Sequence, residues 1–214
     1  MATLAVTEAV TSLRNAHELL NLARSPDPDF FTEWRDTLPE LTPTEVNAIA
    51  HLTDRYLQYL EEGEISEGTA NIIMVSPLLN LLGLCDPPYR IRGEQWMRLS
   101  LDVDTKTDPT TLEGRIDALT LQDNVWLVVV EGKRGGFNVL QAIPQALTYM
   151  MARPDQARSL YGLVTNGYDY LFIKLTPGTP SHYALSHNFT LLSDEQNNLH
   201  RVARVIKRLV ARPE

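Results

Sequence analysis

The chain has 214 residues, 43% of them hydrophobic and 21% charged, which suits one globular domain with extensions. No apolar run approaches the ~20 residues that span a bilayer, and the N-terminus has neither the basic start nor the cleavage-like site of a signal peptide. The net charge of −8 argues against a general, non-specific nucleic-acid coat protein. We therefore expect a cytoplasmic protein with no membrane partner.

The single cysteine excludes an intrachain disulfide framework and a cysteine-based zinc site. Cys85 follows the apolar run "LLNLLGL", which predicts a small buried side chain rather than a nucleophile. The five histidines show no spacing that is typical of metal ligands. The sequence thus predicts neither a thiol nucleophile nor a histidine metal site.

The charge is unevenly distributed along the chain. Residues 1–62 contain eleven acidic and four basic side chains, whereas residues 193–214 contain three acidic and five basic ones. The acidity therefore belongs mostly to the N-terminal part, and a local basic groove elsewhere stays open. For the basic face of the last helix, solvation is the first interpretation and DNA contact is the alternative.

Two helices are predicted in the N-terminal part. The first covers about residues 6–23 and is ended by "SPDPDF". The second begins with Thr42 as N-cap, Pro43 at the first helical position and Glu45 at the third, which is the pattern of a capping box, and Gly63 ends it. We interpret residues 1–62 as a helical N-terminal extension.

A third helix and three strands are predicted next. The helix covers about residues 67–82, and Pro77 should kink it or remove one of its hydrogen bonds. "QWMRLSLDVD" alternates as a half-buried strand does, and "GRIDALTL" predicts a second strand. A tight turn at Asp123 and Asn124 leads into "VWLVVV", whose unbroken apolar run fits a central strand covered on both faces.

The remaining elements complete a mixed sheet flanked by helices. A helix is predicted over about residues 137–151, in which Pro144 is unfavourable unless it lies near the helix start. A hairpin around Asn166 and Gly167 and a last helix over about residues 195–211 follow. The predicted fold class is α/β (α+β), with a sheet of four to five strands. Residues 63–192 would form the core domain, and residues 193–214 a C-terminal helix packed on it.

Charged groups at the end of the "VWLVVV" strand need an explanation. Glu131 and Lys133 lie two residues apart and therefore share a strand face, and the antiparallel neighbour should bring Asp117 opposite position 130 or 131. Two carboxylates bind Mg²⁺ through oxygen, the Gly132 carbonyl could add a ligand, and a nearby lysine could orient water or offset phosphate charge. The alternative is a structural salt bridge at a strand end.

These segments together resemble the PD-(D/E)XK restriction-endonuclease-like nucleases. They are most similar to the N-terminal nuclease domain of type I restriction enzyme motor subunits and its stand-alone relatives. The resemblance covers about half the chain, in the family's order, and the residue before Asp117 departs from the pattern because it is Ile116 rather than proline. The segments that carry it are "EGTANIIMVSPLLNLLGL", "GRIDALTL", "VVVEGKRG", "QALTYM" and "LVTNGYDYLFIKL".

The resemblance implies a restriction-endonuclease-like core and a set of site residues. Asp117 and Glu131 would be metal ligands, Lys133 the catalytic lysine, and Gln145 and Glu67 would approach from the two flanking helices. Two alternatives stay open. Glu67 could be an acid favoured at a helix start, and Tyr149, one turn after Gln145, could belong to the core.

The sequence therefore predicts a Mg²⁺- or Mn²⁺-dependent DNA endonuclease-like domain of a restriction system. Its partners would be a DNA substrate and either a second copy of the chain or another restriction subunit. The main alternative is a catalytically inactive nuclease-fold module for binding or assembly. A third interpretation is a subunit whose motor lies on another chain.

Overall fold

The computed structural model describes residues 2–89, 95–101, 110–116, 118–121, 125–129, 138–152, 159–192 and 198–211. Within these ranges the fold is mixed α/β. The helices are α1 (Val6–Ala9), α2 (Leu13–Leu20), α3 (Pro43–Glu61), α4 (Glu67–Ala70), α5 (Ser76–Leu81), α6 (Ile143–Met151) and α7 (Asn198–Val210). The strands are β1 (Ala2–Ala5), β2 (Leu22–Arg24), β3 (Gln95–Leu101), β4 (Thr110–Ile116), β5 (Ala118–Leu121), β6 (Val125–Val129), β7 (Leu160–Thr165), β8 (Asp169–Thr176) and β9 (Ser181–Thr190).

The strands form two mixed sheets. The larger has the order β2-β9-β8-β7-β6-β5 and the smaller the order β1-β4-β3. The pairs β6–β7, β2–β9 and β1–β4 are parallel, and the other neighbours are antiparallel. The larger sheet has six strands, where a sheet of four to five was predicted, and β2 and β9, which the sequence did not predict, extend it at one side. The predicted strand "QWMRLSLDVD" instead belongs to the smaller sheet as β3, and the predicted strand "GRIDALTL" is divided between β4 of the smaller sheet and β5 of the larger one.

The six-stranded sheet is the middle layer of the molecule. Because successive strand side chains point to opposite faces, Leu163 and Val164 of β7 belong to different buried clusters. The Leu163 cluster contains side chains of α3, α4, α5 and α7, and we call this side the α3 face. The Val164 cluster contains side chains of α1, α2 and α6 together with Leu112 of the smaller sheet, and we call this side the α6 face.

Helix α3 begins and ends as predicted. The Thr42 hydroxyl accepts a hydrogen bond from the Glu45 backbone N–H, and the Glu45 carboxylate accepts one from the Thr42 backbone N–H, so the capping box is complete. Pro43 is the first helical residue. The helix ends at Glu61, and Gly63 has φ +137°, a left-handed value that favours glycine.

The helix predicted over residues 67–82 is continuous but changes its winding before Pro77. Helix α4 passes into a π-helical turn at Asn71–Val75 and then into α5. The Ser76 N–H donates to the Asn71 carbonyl, five residues back, where an α-helix would bond four residues back. Pro77 has no N–H to continue the ladder, so the prediction that it perturbs the helix is confirmed.

The single helix predicted over residues 6–23 is wrong. Two short helices, α1 and α2, are separated at residues 10–12, and Ser12 caps the second through the Asn15 N–H. Asn21 then adopts φ +50°, which ends α2 and lets Leu22–Arg24 pair with β9 as β2. Strands β1 and β2 pair with β4 and β9, and these pairings do not show where a domain begins or ends. The predicted domain boundaries after residues 62 and 192 therefore stay predictions.

The predicted hairpin and C-terminal helix are confirmed. Strands β7 and β8 pair antiparallel around Asn166 and Gly167, and Gly167 has φ +84°. Helix α7 packs on the α3 face through the apolar side chains predicted for it, which are Val202, Val205, Ile206, Leu209 and Val210. The α-helical part of the helix predicted over residues 137–151 begins only at Ile143, after a 3₁₀ turn at Val139–Ala142, so Pro144 lies in the first turn, where it is tolerated.

The predicted burial of Cys85 is wrong, because its side chain is exposed. Gly83 turns the chain out of α5 with φ +74°, and Leu84, only 1% exposed, occupies the buried position in its place. Burial of part of the group, followed by the nearby Asp86 carboxylate, raises the pKa of the Cys85 thiol. A raised thiol pKa agrees with the prediction that Cys85 is not a nucleophile. Separately, none of the helices in the described ranges is long and apolar enough to cross a membrane.

Candidate active site

One edge of the six-stranded sheet collects the elements that carry the predicted site residues. Ala118, the first residue of β5, pairs with Val128 of β6, and Val128 pairs with Val164 of β7. One row further, Val129 pairs with Thr165. The start of β5 and the ends of β6 and β7 therefore lie side by side, with adjacent strands about 4.8 Å apart. We call this the candidate edge.

The predicted metal ligands belong to chain segments that adjoin this edge in sequence. Asp117 precedes Ala118, and Glu131, Gly132 and Lys133 follow β6. These four residues lie outside the described ranges, as does the predicted pairing of Asp117 with position 130 or 131. In the described part of the hairpin, Leu121 pairs with Val125, so three residues connect the strands where a two-residue turn was predicted.

Helix α6 lies on the α6 face, and in it the chain runs from the candidate edge back toward the opposite edge of the sheet. Because β6 and β7 are parallel, the chain between them must run back to the opposite edge. Met150, near the end of α6, lies beside Gly162 of β7, where an added Cβ would be 2.9 Å from the Met150 sulfur. Gln145 is in the first turn of this helix and is half-buried, so it lies toward the end of α6 that follows β6.

Gln145 and Tyr149 contact each other. The Gln145 amide donates a 2.8 Å hydrogen bond to the Tyr149 hydroxyl, so the predicted shared helix face is confirmed. Tyr149 is only 1% exposed and belongs to the α6-face cluster. Tyr149 is thus a core residue whose hydroxyl orients the Gln145 side chain.

Glu67 starts helix α4 on the other face of the sheet. It is half-buried and follows Ser66, whose hydroxyl accepts the Thr69 N–H as an N-cap. A carboxylate in this first turn is favoured by the helix dipole, so that interpretation stays open beside the catalytic one. Because α4 and α6 lie on opposite faces of the sheet, Glu67 and Gln145 could meet only beyond its edge.

The β7–β8 hairpin joins α4 to the candidate edge. An added Cβ at Gly167 would lie 2.9 Å from the Ala70 Cβ and 3.1 Å from a Tyr56 ring carbon, so the hairpin backbone packs directly against α4 and α3. Burial, then the charge of Asp169 and the neighbouring Tyr168, raises the pKa of Tyr56 to about 12. Its hydroxyl therefore stays protonated at neutral pH.

Side-chain hydrogen bonds hold the shape of this hairpin. The Gly167 N–H donates to the hydroxyl of Thr165, which is fully buried, and the Tyr170 hydroxyl donates to the Gly167 carbonyl. The Asn166 amide oxygen accepts the N–H groups of Tyr168 and Asp169 at 3.0 and 2.7 Å. Each of these bonds stabilises the turn from within.

A polar cluster that the sequence did not predict lies away from the candidate edge. Glu33 accepts hydrogen bonds from the Tyr161 hydroxyl at 2.7 Å and from the Lys174 ammonium at 2.5 Å. The Lys174 nitrogen also lies 5.5 Å from the Phe30 ring centre. The signal available in the sequence was weak, since Glu33 falls in an irregular segment and its partners are more than 120 residues away.

The basic face of α7 is partly occupied by the N-terminal segment. Arg204 donates to the carbonyls of Leu38 and Pro39 and forms a 2.7 Å ion pair with Glu40. Lys207 pairs with Glu45 of the α3 cap at 2.8 Å. The basic face consists of Arg201, Arg204, Lys207 and Arg208. The contacts of Arg204 and Lys207 favour a structural role for these two residues over contact with DNA.

The donor chemistry of the predicted site fits a hard cation, because Mg²⁺ and Mn²⁺ prefer carboxylate and carbonyl oxygen. Among the residues that the structure describes, no group of three or more histidine, cysteine or acidic side chains could hold a metal ion. A metal site would therefore depend on Asp117, Glu131 and Gly132, which lie outside those ranges.

Comparison with protein-family models found no matching family, and comparison with curated proteins found no matching relative. The resemblance to restriction-endonuclease-like nucleases stays a prediction that depends on the residues of this chain.

Proposed function

We propose that the chain is a metal-dependent DNA endonuclease-like domain with a restriction-endonuclease-like core, acting in a restriction system. The observation that carries the proposal is the convergence of three elements at the candidate edge. Ala118, Val129 and Thr165 lie in adjacent strands there. Asp117 is one residue from Ala118 in the chain and Glu131 is two from Val129, so chain connectivity keeps both acids near this edge whatever their conformation.

Helix α4 supports the proposal from the α3 face. Ala70 packs against the hairpin that follows Thr165, and Glu67 lies one turn earlier on the same side of the helix. A third carboxylate therefore belongs to an element fixed at the same edge. Glu67 on the α3 face and Gln145 on the α6 face would meet at a site that opens beyond the strand ends.

The proposed roles follow from the chemistry of phosphodiester hydrolysis. Asp117, Glu131 and the Gly132 carbonyl would hold Mg²⁺ or Mn²⁺, which supplies an acidified water and stabilises phosphate charge when bound. Lys133 would orient the attacking water or offset the charge on the phosphate. Gln145, held by Tyr149, would contact the water or the substrate from α6, and Glu67 would complete the acidic group.

Cleavage of DNA by the purified chain tests the proposal. Supercoiled plasmid, linear duplex and single-stranded DNA are incubated with Mg²⁺ or Mn²⁺ and with EDTA, and wild type is compared with Asp117→Ala and Lys133→Ala. We expect metal-dependent cutting by wild type, and loss of at least about 100-fold in either variant. Asp54→Ala, an exposed acid on α3, is the matched control and should cut as wild type does.

The same experiment separates the enzyme from the alternative. If wild type and Asp117→Ala cut every substrate equally, or neither cuts any, the catalytic proposal fails. The second candidate is then an inactive nuclease-fold module. The observation that favours it is the ion pairing of Arg204 and Lys207 with N-terminal acids, which removes basic groups from any DNA surface.

A further inference from the structure

We propose that Gly167 is a positioning residue that sets the place of Glu67 at the candidate edge. This inference rests on the proposed nuclease function. Gly167 does not belong to the set Glu67, Asp117, Glu131, Lys133 and Gln145. Its role would be to let the backbone of the β7–β8 hairpin pack against helix α4 with no side chain at position 167 between them.

The first step is the contact itself. A Cβ at position 167 would lie 2.9 Å from the Ala70 Cβ, which is closer than real Cβ contacts come, and 3.1 Å from the Tyr56 ring. Both neighbours are buried, Ala70 at 3% and Tyr56 at 4% exposure. Neither is the free end of a flexible side chain, so α4, α3 or the hairpin would have to move.

The second step is the rigidity on the hairpin side. Thr165 is the last residue of β7 and pairs with Val129 of β6. Its hydroxyl accepts the Gly167 N–H at 2.9 Å, and the Gly167 carbonyl accepts the Tyr170 hydroxyl at 3.0 Å. The position of Gly167 is thus fixed to the end of β6, which the proposed ligand Glu131 follows in the chain.

The third step is the rigidity on the helix side. Glu67 and Ala70 lie three residues apart in the first turn of α4 and therefore face the same way. The Ser66 cap binds the Thr69 N–H, and the Ala70 N–H bonds to the Ser66 carbonyl at 2.8 Å. A displacement of Ala70 would carry Glu67 with it, because one hydrogen-bonded turn joins them.

The experiment compares Gly167→Ala with Gly83→Ala. Both glycines have positive φ, +84° and +74°, but an added Cβ at Gly83 meets nothing within 4 Å. Gly83→Ala therefore reproduces the backbone strain without the crowding. Cleavage is measured well below the Tm of each variant, and amide hydrogen exchange is followed over residues 66–70.

We expect Gly167→Ala to lower kcat about 10- to 100-fold, as displacement of a catalytic group by about 1 Å does, with KM for DNA changed less than about twofold. Exchange at residues 66–70 should accelerate in this variant alone. Adding Ala70→Gly removes the closest contact and should recover part of the lost kcat.

The inference is overturned if Gly167→Ala cuts as wild type does, if Gly83→Ala is equally slow, or if Ala70→Gly restores nothing. Failure of the proposed function gives a different result. In that case wild type cuts no DNA, and the proposed positioning role is overturned together with the proposed function. The hydrogen-exchange data would then show only that Gly167 and helix α4 are in contact.

Discussion

Lys174 donates a 2.5 Å hydrogen bond to Glu33 and thereby joins the irregular segment between β2 and α3 to the middle of the six-stranded sheet. Both side chains are mostly buried, with 16% and 22% of their surface exposed. Among the described residues, the second oxygen of the Glu33 carboxylate is buried without a hydrogen-bond partner. The pair thus combines a strong charged hydrogen bond with one buried carboxylate oxygen that lacks a donor. Removing either member should therefore lower the free energy of unfolding.

Replacing Lys174 by Met should destabilise the fold by about 1–3 kcal/mol, because the partly buried Glu33 carboxylate would keep Tyr161 as its hydrogen-bond donor but lose its cation. Urea unfolding at pH 7 measures the change. The double variant Lys174→Met with Glu33→Leu should recover part of the loss, since no charge is then left buried. A single variant as stable as wild type would contradict this prediction.

The same carboxylate should make stability depend on pH. Burial alone would raise the pKa of Glu33, but the hydrogen bonds from Lys174 and Tyr161 outweigh it and hold the pKa below the ordinary 4.5. The ionised Glu33 carboxylate therefore makes its full contribution to the free energy of unfolding above pH 4.5. This contribution is lost as the pH falls through the lower pKa of the folded state. Tm is measured between pH 7 and pH 3 for wild type and Glu33→Gln, and the variant should show the shallower acid limb.

Tyr149→Phe should slow DNA cleavage by about 10-fold, because the Gln145 amide would lose the acceptor that orients it. The loss of a buried hydroxyl should also cost about 1 kcal/mol of stability. Kinetics of the two single variants and of Gln145→Ala with Tyr149→Phe form a double-mutant cycle. In the Gln145→Ala background the tyrosine change should have no further effect on kcat. Additive losses would show that Tyr149 does not act through Gln145.

Arg204→Gln and Arg201→Gln should separate structural from DNA-binding roles on α7. Arg204 contacts Leu38, Pro39 and Glu40, so its replacement should lower the unfolding free energy by about 1–2 kcal/mol. Arg201 is exposed on the same helix, and its replacement should change stability by less than about 0.5 kcal/mol. Neither change should alter the salt dependence of DNA binding, and a reduced slope in Arg201→Gln would instead assign this face to DNA.

Cys85 should react with a thiol reagent in the folded protein, because its side chain is exposed. Its pKa is raised above the ordinary 9.0 by partial burial and by Asp86, and only the thiolate reacts. The labelling rate at pH 7.5 should therefore fall below that of a free cysteine and rise with pH beyond 9. Cys85→Ser gives the baseline, and labelling that requires denaturant would contradict the exposed position.

Local signals predicted the elements that depend on near neighbours. The Thr42–Glu45 capping box, the Pro77 perturbation and the Asn166–Gly167 hairpin each involve residues within five positions of one another. Strands β1, β2 and β9 were not predicted, because strands β1 and β2 are each stabilised by a partner strand far along the chain, and β9 pairs with β2 as well as with its neighbour β8. Strand β9 also contains an irregularity in its pairing with β8, where the buried Ser186 hydroxyl accepts the Phe172 N–H and the alternation of buried side chains is broken.

In the candidate site, too, local sequence patterns predicted the contacts between near neighbours but not those between distant residues. The contact between Gln145 and Tyr149 followed from helical spacing alone, and the antiparallel pairing of β5 and β6 followed from two adjacent strand patterns. The close packing of Gly167 did not, because it depends on Ala70 and Tyr56 contacting a hairpin about 100 residues later in the sequence. Residue spacing carries no information about such a contact.

The π turn before Pro77 divides the helix into two segments with different rotational phase. One additional residue in the turn rotates everything before it by about 100° relative to an unbroken α-helix. Within this turn Ile72 is 73% exposed, whereas Ile73, Met74 and Val75 are all buried. The π turn therefore changes the direction of Glu67 relative to Leu78 and Leu79 from the one an unbroken α-helix would give. Deletion of one residue within 71–75 should leave Leu78 and Leu79 in register and rotate Glu67 by about a quarter of a turn relative to them.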